Sequence, residues 1–163
     1  MDETSVNLET VVSYDWMPTN TRTILKTNNR DQKDCVIGSV SPKTGDTLFM
    51  QTDKVDSHSV SFFIQKLSQN YSSYENILIL DNASYHVAQG RKDFPMPENV
   101  KLFYLPTYSP DLNPIERLWK YFKDKFINNR FFKNIYQLRN MVNDALYNLL
   151  YDCNTVKSLC GKY

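Results

Sequence analysis

Ile77-Leu78-Ile79-Leu80-Asp81-Asn82 is the stretch on which the fold turns. Alternation of apolar and polar residues would give a strand one wet face. Its absence predicts a strand covered on both sides, as in a parallel or mixed sheet. Burying those four apolar side chains contributes about 1.5–3 kcal/mol each. Asp81 closes the run. A desolvated, unpaired carboxylate costs several kcal/mol, so Asp81 belongs at the sheet's edge beside water, a cation or a partner. Ligand sites of open α/β sheets lie beyond the carboxyl ends of strands, which is where Asp81 falls. An Asx-type turn at Asp81-Asn82 also explains the residue, without any chemistry.

Working outward, residues 34–40 and 46–52 read as two strands joined by Ser41-Pro42-Lys43-Thr44-Gly45, a hairpin with Pro and Gly in its turn. Val60, Phe63, Ile64 and Leu67 recur at i, i+3, i+4 and i+7, one face of a helix that Asp56 or Ser57 can cap. A second short apolar strand runs from Val100 to Leu105 and stops at Pro106. Two helical stripes follow. Ile115, Leu118, Trp119, Phe122 and Phe126 make the first; Ile135, Leu138, Met141, Val142, Ala145, Leu146 and Leu149 make the second. Asn113, Pro114 and Glu116 occupy the cap, first helical and capping-box positions of the first stripe. Glu116 lies about 100° round the wheel from Ile115, on the flank of the stripe, with Lys120 and Lys123 beside it.

The chain has 163 residues, 41% hydrophobic and 23% charged, which fits one globular domain and excludes a disordered tail, a collagen-like repeat or a disulfide scaffold. No run approaches the ~20 apolar residues of a membrane span, and no secretory signal opens the chain. Cys35, Cys153 and Cys160 are an odd number without metal-site spacing and read as reduced thiols. Residues 1–116 carry 10 Lys and Arg against 15 Asp and Glu; residues 117–163 carry 9 against 3. A basic end of this kind suits a polyanionic partner, and equally a solvated helical surface.

Asp81-Asn82-Ala83-Ser84-Tyr85-His86, followed by Leu105-Pro106-Thr107-Tyr108-Ser109-Pro110-Asp111-Leu112-Asn113-Pro114-Ile115-Glu116-Arg117-Leu118-Trp119, closely resembles the DDE transposases of the mariner-like superfamily. The bacterial insertion-sequence branch is the nearest match. Three prolines at a spacing of four precede Glu116, and thirty-four residues separate it from Asp81. Met1-Asp2-Glu3, with Trp16 downstream, is similar to the first-acid motif of that family.

The resemblance implies a ribonuclease-H-like α/β fold, a mixed sheet flanked by helices, and metal-dependent cleavage and transfer of DNA strands. Its acidic triad would be Asp2, Asp81 and Glu116, binding two Mg²⁺ or Mn²⁺ ions. Asn82 and His86 would support the second acid, with a satisfied structural histidine as the alternative for His86, and Glu3 would be structural. Lys120, Lys123, Lys125, Arg130 and Lys133 would follow DNA phosphates, a salt-sensitive and sequence-independent contribution. Trp119, on the apolar stripe, reads as core. Implied partners are double-stranded DNA, both transposon ends and a TA-type target, and a second copy of the chain in the DNA complex. The expected location is cytoplasmic, on the nucleoid when bound to DNA.

Two departures from the family follow from the same comparison. A helix-turn-helix region before Met1 is not expected, and with only Met1 ahead of Asp2 the first strand is expected to be largely missing from a single, N-terminally truncated domain over 1–163. The product of an upstream reading frame is then a further expected partner. A non-catalytic remnant that binds DNA or a full-length transposase is the alternative function. A cellular ribonuclease H on the same fold explains the acids but not the block from Tyr108 to Trp119.

Overall fold

The computed structural model describes residues 1–13, 19, 26–27, 31–90, 92–106 and 109–161. Trp16, Thr107 and Tyr108 of the motifs above lie outside them. The hairpin forms as read: β2 (Lys33–Val40) pairs antiparallel with β3 (Thr47–Thr52). Its turn is closed by the Ser41 amide donating to the Asp46 carbonyl at 2.8 Å, with Gly45 at φ +80°. On the other side of β2 lies β1 (Asp2–Asn7), also antiparallel, with Asp2 opposite Gly38. The expectation of a largely missing first strand is corrected here. Six residues beginning at Asp2 suffice, because the strand extends downstream of the acid and takes its whole ladder from β2.

A second sheet has two strands, β4 (Asn76–Leu80) and β5 (Val100–Tyr104), paired in parallel. The backbone nitrogen of Met1 donates to the Ile79 carbonyl at 2.7 Å and so links the start of β1 to β4. The crossover from the first sheet to β4 is α1 (Ser57–Asn70). It opens in a capping box in which Asp56 and Ser59 bond each other's backbone amides. The short α2 (Ser84–Val87) follows β4. Beyond β5 come α3 (Ile115–Phe122), one π-turn over Lys123–Ile127, α4 (Ile135–Tyr151) and α5 (Cys153–Cys160).

Two cores result. Val36 on β2 packs with α3, α4 and α5 through Leu118, Phe122, Leu138 and Val156; Ile37, on the opposite face, packs with α1 and β4 through Phe63, Ile64 and Leu80. Asp34, buried in β2, is bonded by Gln51 of β3 and by Arg139 of α4, which also grips Asp53. β2 is therefore the strand covered on both sides. β4 is not: Leu78 and Leu80 are buried, but Ile77 is 65% and Ile79 44% exposed. This corrects the reading of the apolar run. α1 covers one face of the β4–β5 pair, while α3, α4 and α5 belong to the other core, so no described helix lies over Ile77 and Ile79.

The start of α3 also differs from the sequence reading. Pro114 has helical angles, φ −61° and ψ −25°, as expected, but no side chain caps the helix. The buried Asn113 amide donates instead to the Met1 carbonyl at 3.2 Å. The side chain read as a local cap thus serves a long-range contact.

Candidate active site

The elements converge where β1 begins and β4 ends. Asp2 is the first residue of β1, and Glu3, next along the strand, turns its side chain to the opposite face. Asp81 follows β4 directly, and Glu116 lies in the first turn of α3. Asn113, three residues before Glu116, holds the carbonyl of the residue before Asp2, so a single hydrogen bond ties α3 to the head of β1.

The carboxylates fall into two sets. In the first, burial and then the negative charge of Glu116 push the Asp2 carboxyl up to about 7. A partly buried carboxyl beside the negative charge of an exposed one forms a place suited to a cation. In the second, His86 is fully buried and lies between Asp81 Oδ1 at Nδ1 and Glu3 Oε1 at Nε2, each at 2.7 Å. Burial alone lowers the affinity of His86 for its proton, but the hydrogen bond and charge of Glu3, and then those of Asp81, outweigh it and the pKa rises. The Tyr85 phenol is pushed upward by burial and then by the charges of Glu3 and Asp81. The Ala83 amide also donates to Asp81 Oδ1, at 3.0 Å, so the Asx turn read from the sequence is present as well. Among the described residues no three acids, histidines or cysteines converge at metal-holding distance. The structure thus brings Asp2 to Glu116, and Asp81 to Glu3 through His86.

An open groove of about 490 Å³ runs beside the first set, lined by Glu3, Glu116, Trp119, Lys120, Lys123 and Asn128. Glu116, Lys120 and Lys123 share one flank of α3 and its continuation, as the helical wheel predicts. The other basic residues are engaged differently. Lys125 Nζ lies 5.0 Å above the Tyr121 ring, and Arg130 donates to the Lys125 carbonyl at 3.0 Å. Lys133 is exposed at the entry to α4. Asn82 donates to the Leu105 carbonyl at 2.7 Å, clasping the ends of β4 and β5 together. Trp119 is core, 3% exposed and packed on Phe49, with ring centroids 5.8 Å apart.

The model of the DDE superfamily endonucleases matches residues 1–139. The chain belongs to this family. Among relatives of these endonucleases, the insertion element IS630 uncharacterized 39 kDa protein of Shigella sonnei is 26% identical over 144 residues, 86% of this chain and 42% of that protein. The DDE fold is shared with the Mos1 transposase paired-end complex with left transposon end and with the Mos1 mariner paired end complex with Mn. Each has a TM-score of 0.61 at 14% identity, over 99% of this chain and 55% of that one. The chain thus spans about half the length of these proteins. No described helix of this DDE endonuclease chain is long and apolar enough to cross a membrane.

The donor set fits a hard divalent cation. Asp2 and Glu116 offer only carboxylate oxygens, and Asp2 carries the electrostatic cost of an uncompensated charge. Sequence reading missed how far Glu3 reaches. Its partner lies 83 residues away, and the only local signal was its place next to Asp2.

Proposed function

We propose that this chain is the catalytic module of an insertion-sequence transposase, with Asp2, Asp81 and Glu116 as its metal-binding acids. The observation that carries this reading is Glu116 beside Lys120 and Lys123 in one groove, with Asp2 at the head of β1 close enough to feel the charge of Glu116, within a chain of the DDE endonuclease family. Two Mg²⁺ or Mn²⁺ ions held by these acids would activate a water or a 3′-hydroxyl and steady the departing oxygen of a phosphodiester. The protein's own contribution is positional. β1 and α3 present Asp2 and Glu116 together, β4 presents Asp81, Asn82 clasps the strand ends, and His86 orders Asp81. Lys120 and Lys123 share the groove with Glu116 and would take phosphates first, with Lys125, Arg130 and Lys133 extending the basic track.

On this reading the DNA is a transposon end in the first step and a TA-type target in the second, in the cytoplasm, with two copies of the chain in the complex. The product of an upstream reading frame would supply the recognition of the ends. A second reading, a non-catalytic form that binds DNA or a full-length transposase, is favoured by one observation: the three acids do not converge among the described residues.

The test is nicking of duplex DNA bearing the element's ends, with Mg²⁺, by the chain and by the chain joined to its upstream product. Nicking that needs the metal and disappears in Asp81→Ala and Glu116→Ala supports the catalytic reading. DNA binding without metal-dependent nicking in either form supports the second. Preference for an RNA–DNA hybrid would revive a ribonuclease H.

A further inference from the structure

His86 is a side chain with no exposed surface, edge-on to the Tyr85 ring, with bonds of 2.7 Å to one carboxylate on β1 and one just beyond β4. The two bonds use opposite nitrogens of the ring, so the imidazole cannot turn without breaking both. Asp81 Oδ1 accepts from His86 Nδ1 at 2.7 Å and from the Ala83 amide at 3.0 Å, which fills that oxygen and fixes the rotamer. The Asp81 side chain is nevertheless 59% exposed, so what it turns outward is Oδ2. Glu3, whose side chain is 8% exposed, holds the far nitrogen of the ring. Glu3 is also the neighbour of Asp2, on a strand whose head is anchored by the bonds of Met1 to Ile79 and Asn113.

We propose that Glu3 and His86 act as a positioning clamp. Glu3 orients His86, His86 takes Asp81 Oδ1, and Asp81 Oδ2 is thereby presented to the metal in fixed register with Asp2. Glu3 is thus a positioning residue for the second acid rather than a ligand or a filler of the core. The inference rests on the assignment of Asp81 as a metal ligand. Partners of this kind, one step removed from the metal, commonly govern its affinity by about 10–100-fold.

The experiment is a titration of the full chain with Mn²⁺, following free Mn²⁺ by electron paramagnetic resonance, for wild type, Glu3→Leu, Glu3→Gln and Asp81→Asn. Glu3→Leu removes the acceptor while keeping similar volume, and is expected to weaken Mn²⁺ binding by about 10–100-fold. Glu3→Gln keeps an oxygen for His86 Nε2 and should recover most of that loss, a rescue that a purely space-filling role would not show. Unchanged Mn²⁺ affinity in a folded Glu3→Leu overturns the clamp while leaving the acidic triad standing. Unchanged affinity in Asp81→Asn overturns the triad itself. A structure of the wild-type chain with Mn²⁺ needs no variant at all. It should show His86 still between Glu3 and Asp81 Oδ1, with Oδ2 on the ion; Glu3 leaving His86 to ligate the ion would overturn the clamp.

Discussion

β2 and β4 exchange the roles their sequences advertise. β4 is apolar at four consecutive positions, yet Ile77 and Ile79 lie open. β2 contains Asp34, Gly38 and Ser39, yet every residue from Asp34 to Ser39 is buried. Coverage comes from position: β2 is the middle strand of its sheet, with helices on both faces, whereas β4 has β5 on one side and α1 on one face. Composition reports what a strand can bury, and topology decides what it does bury. The two strands also serve the site differently, β2 as the rigid wall behind β1 and β4 as the carrier of Asp81.

The largest expected effect breaks this comparison directly. Ile37→Ala in β2 should cost about 2–5 kcal/mol of unfolding free energy in urea titrations, because a fully buried side chain leaves a cavity. Ile77→Ala in β4 should stay within about 0.5 kcal/mol. Comparable losses would mean that something covers β4.

The second effect concerns the acids that the two strands support. The folded-state value of Asp2, about 7, lies above the ordinary carboxylate value of about 3.9. Its ionisation therefore opposes folding. The stability linked to this group is fully present below about pH 4 and is lost as pH rises through about 7. Metal-free Asp2→Asn should be more stable than wild type at about pH 8, by on the order of 1–4 kcal/mol, and the gain should vanish in acid. Equal pH profiles for wild type and Asp2→Asn would remove the electrostatic argument.

Gly38 sharpens the comparison further. A Cβ at Gly38 would lie 2.6 Å from Trp119 Cη2 and 2.9 Å from Phe49 Cδ1, so the indole of α3 rests directly on the strand opposite Asp2. Gly38→Ala should cost about 1–3 kcal/mol by overpacking, and should weaken cleavage more than that loss explains, because α3 also carries Glu116. Full activity in a folded Gly38→Ala would show that the seating of α3 does not govern the site.

The smallest effect is one of labelling. Burial raises the thiol of Cys35 in β2 and pushes that of Cys160 in α5 up to about 11, while Cys153 is only half-buried. Cys153 should alkylate first, with Cys35 and Cys160 protected until the chain unfolds. A cysteine introduced as Ile77→Cys on β4 should label at least as readily as Cys153. Slow labelling there would again point to a covered face.

What was legible in the sequence was what is settled locally. The hairpin, the Asp56 cap of α1 and the stripes of α3 and α4 follow from spacing alone, and each forms where the pattern places it. Asp152, followed three residues later by Thr155, carried a cap signal for α5 that apolar periodicity did not amplify, because the helix is short and largely polar. The readings that changed all depend on distant partners. Asn113 looks like a cap until Met1 is beside it, Glu3 looks incidental until His86 is beside it, and β4 looks covered until the helices are counted on each face. No window of sequence contains those neighbours.

The Asn113–Met1 bond spans 112 residues of chain and the His86–Glu3 bond spans 83. Closing loops of that size is slow, and it precedes any return from the contacts they make. A chain that has formed its hairpin and helices but has not yet brought Met1, Asn113 and His86 together has acids without a site. Assembly of the candidate site is thereby tied to completion of the long-range fold, and a chain holding only its local elements presents scattered acids and no groove.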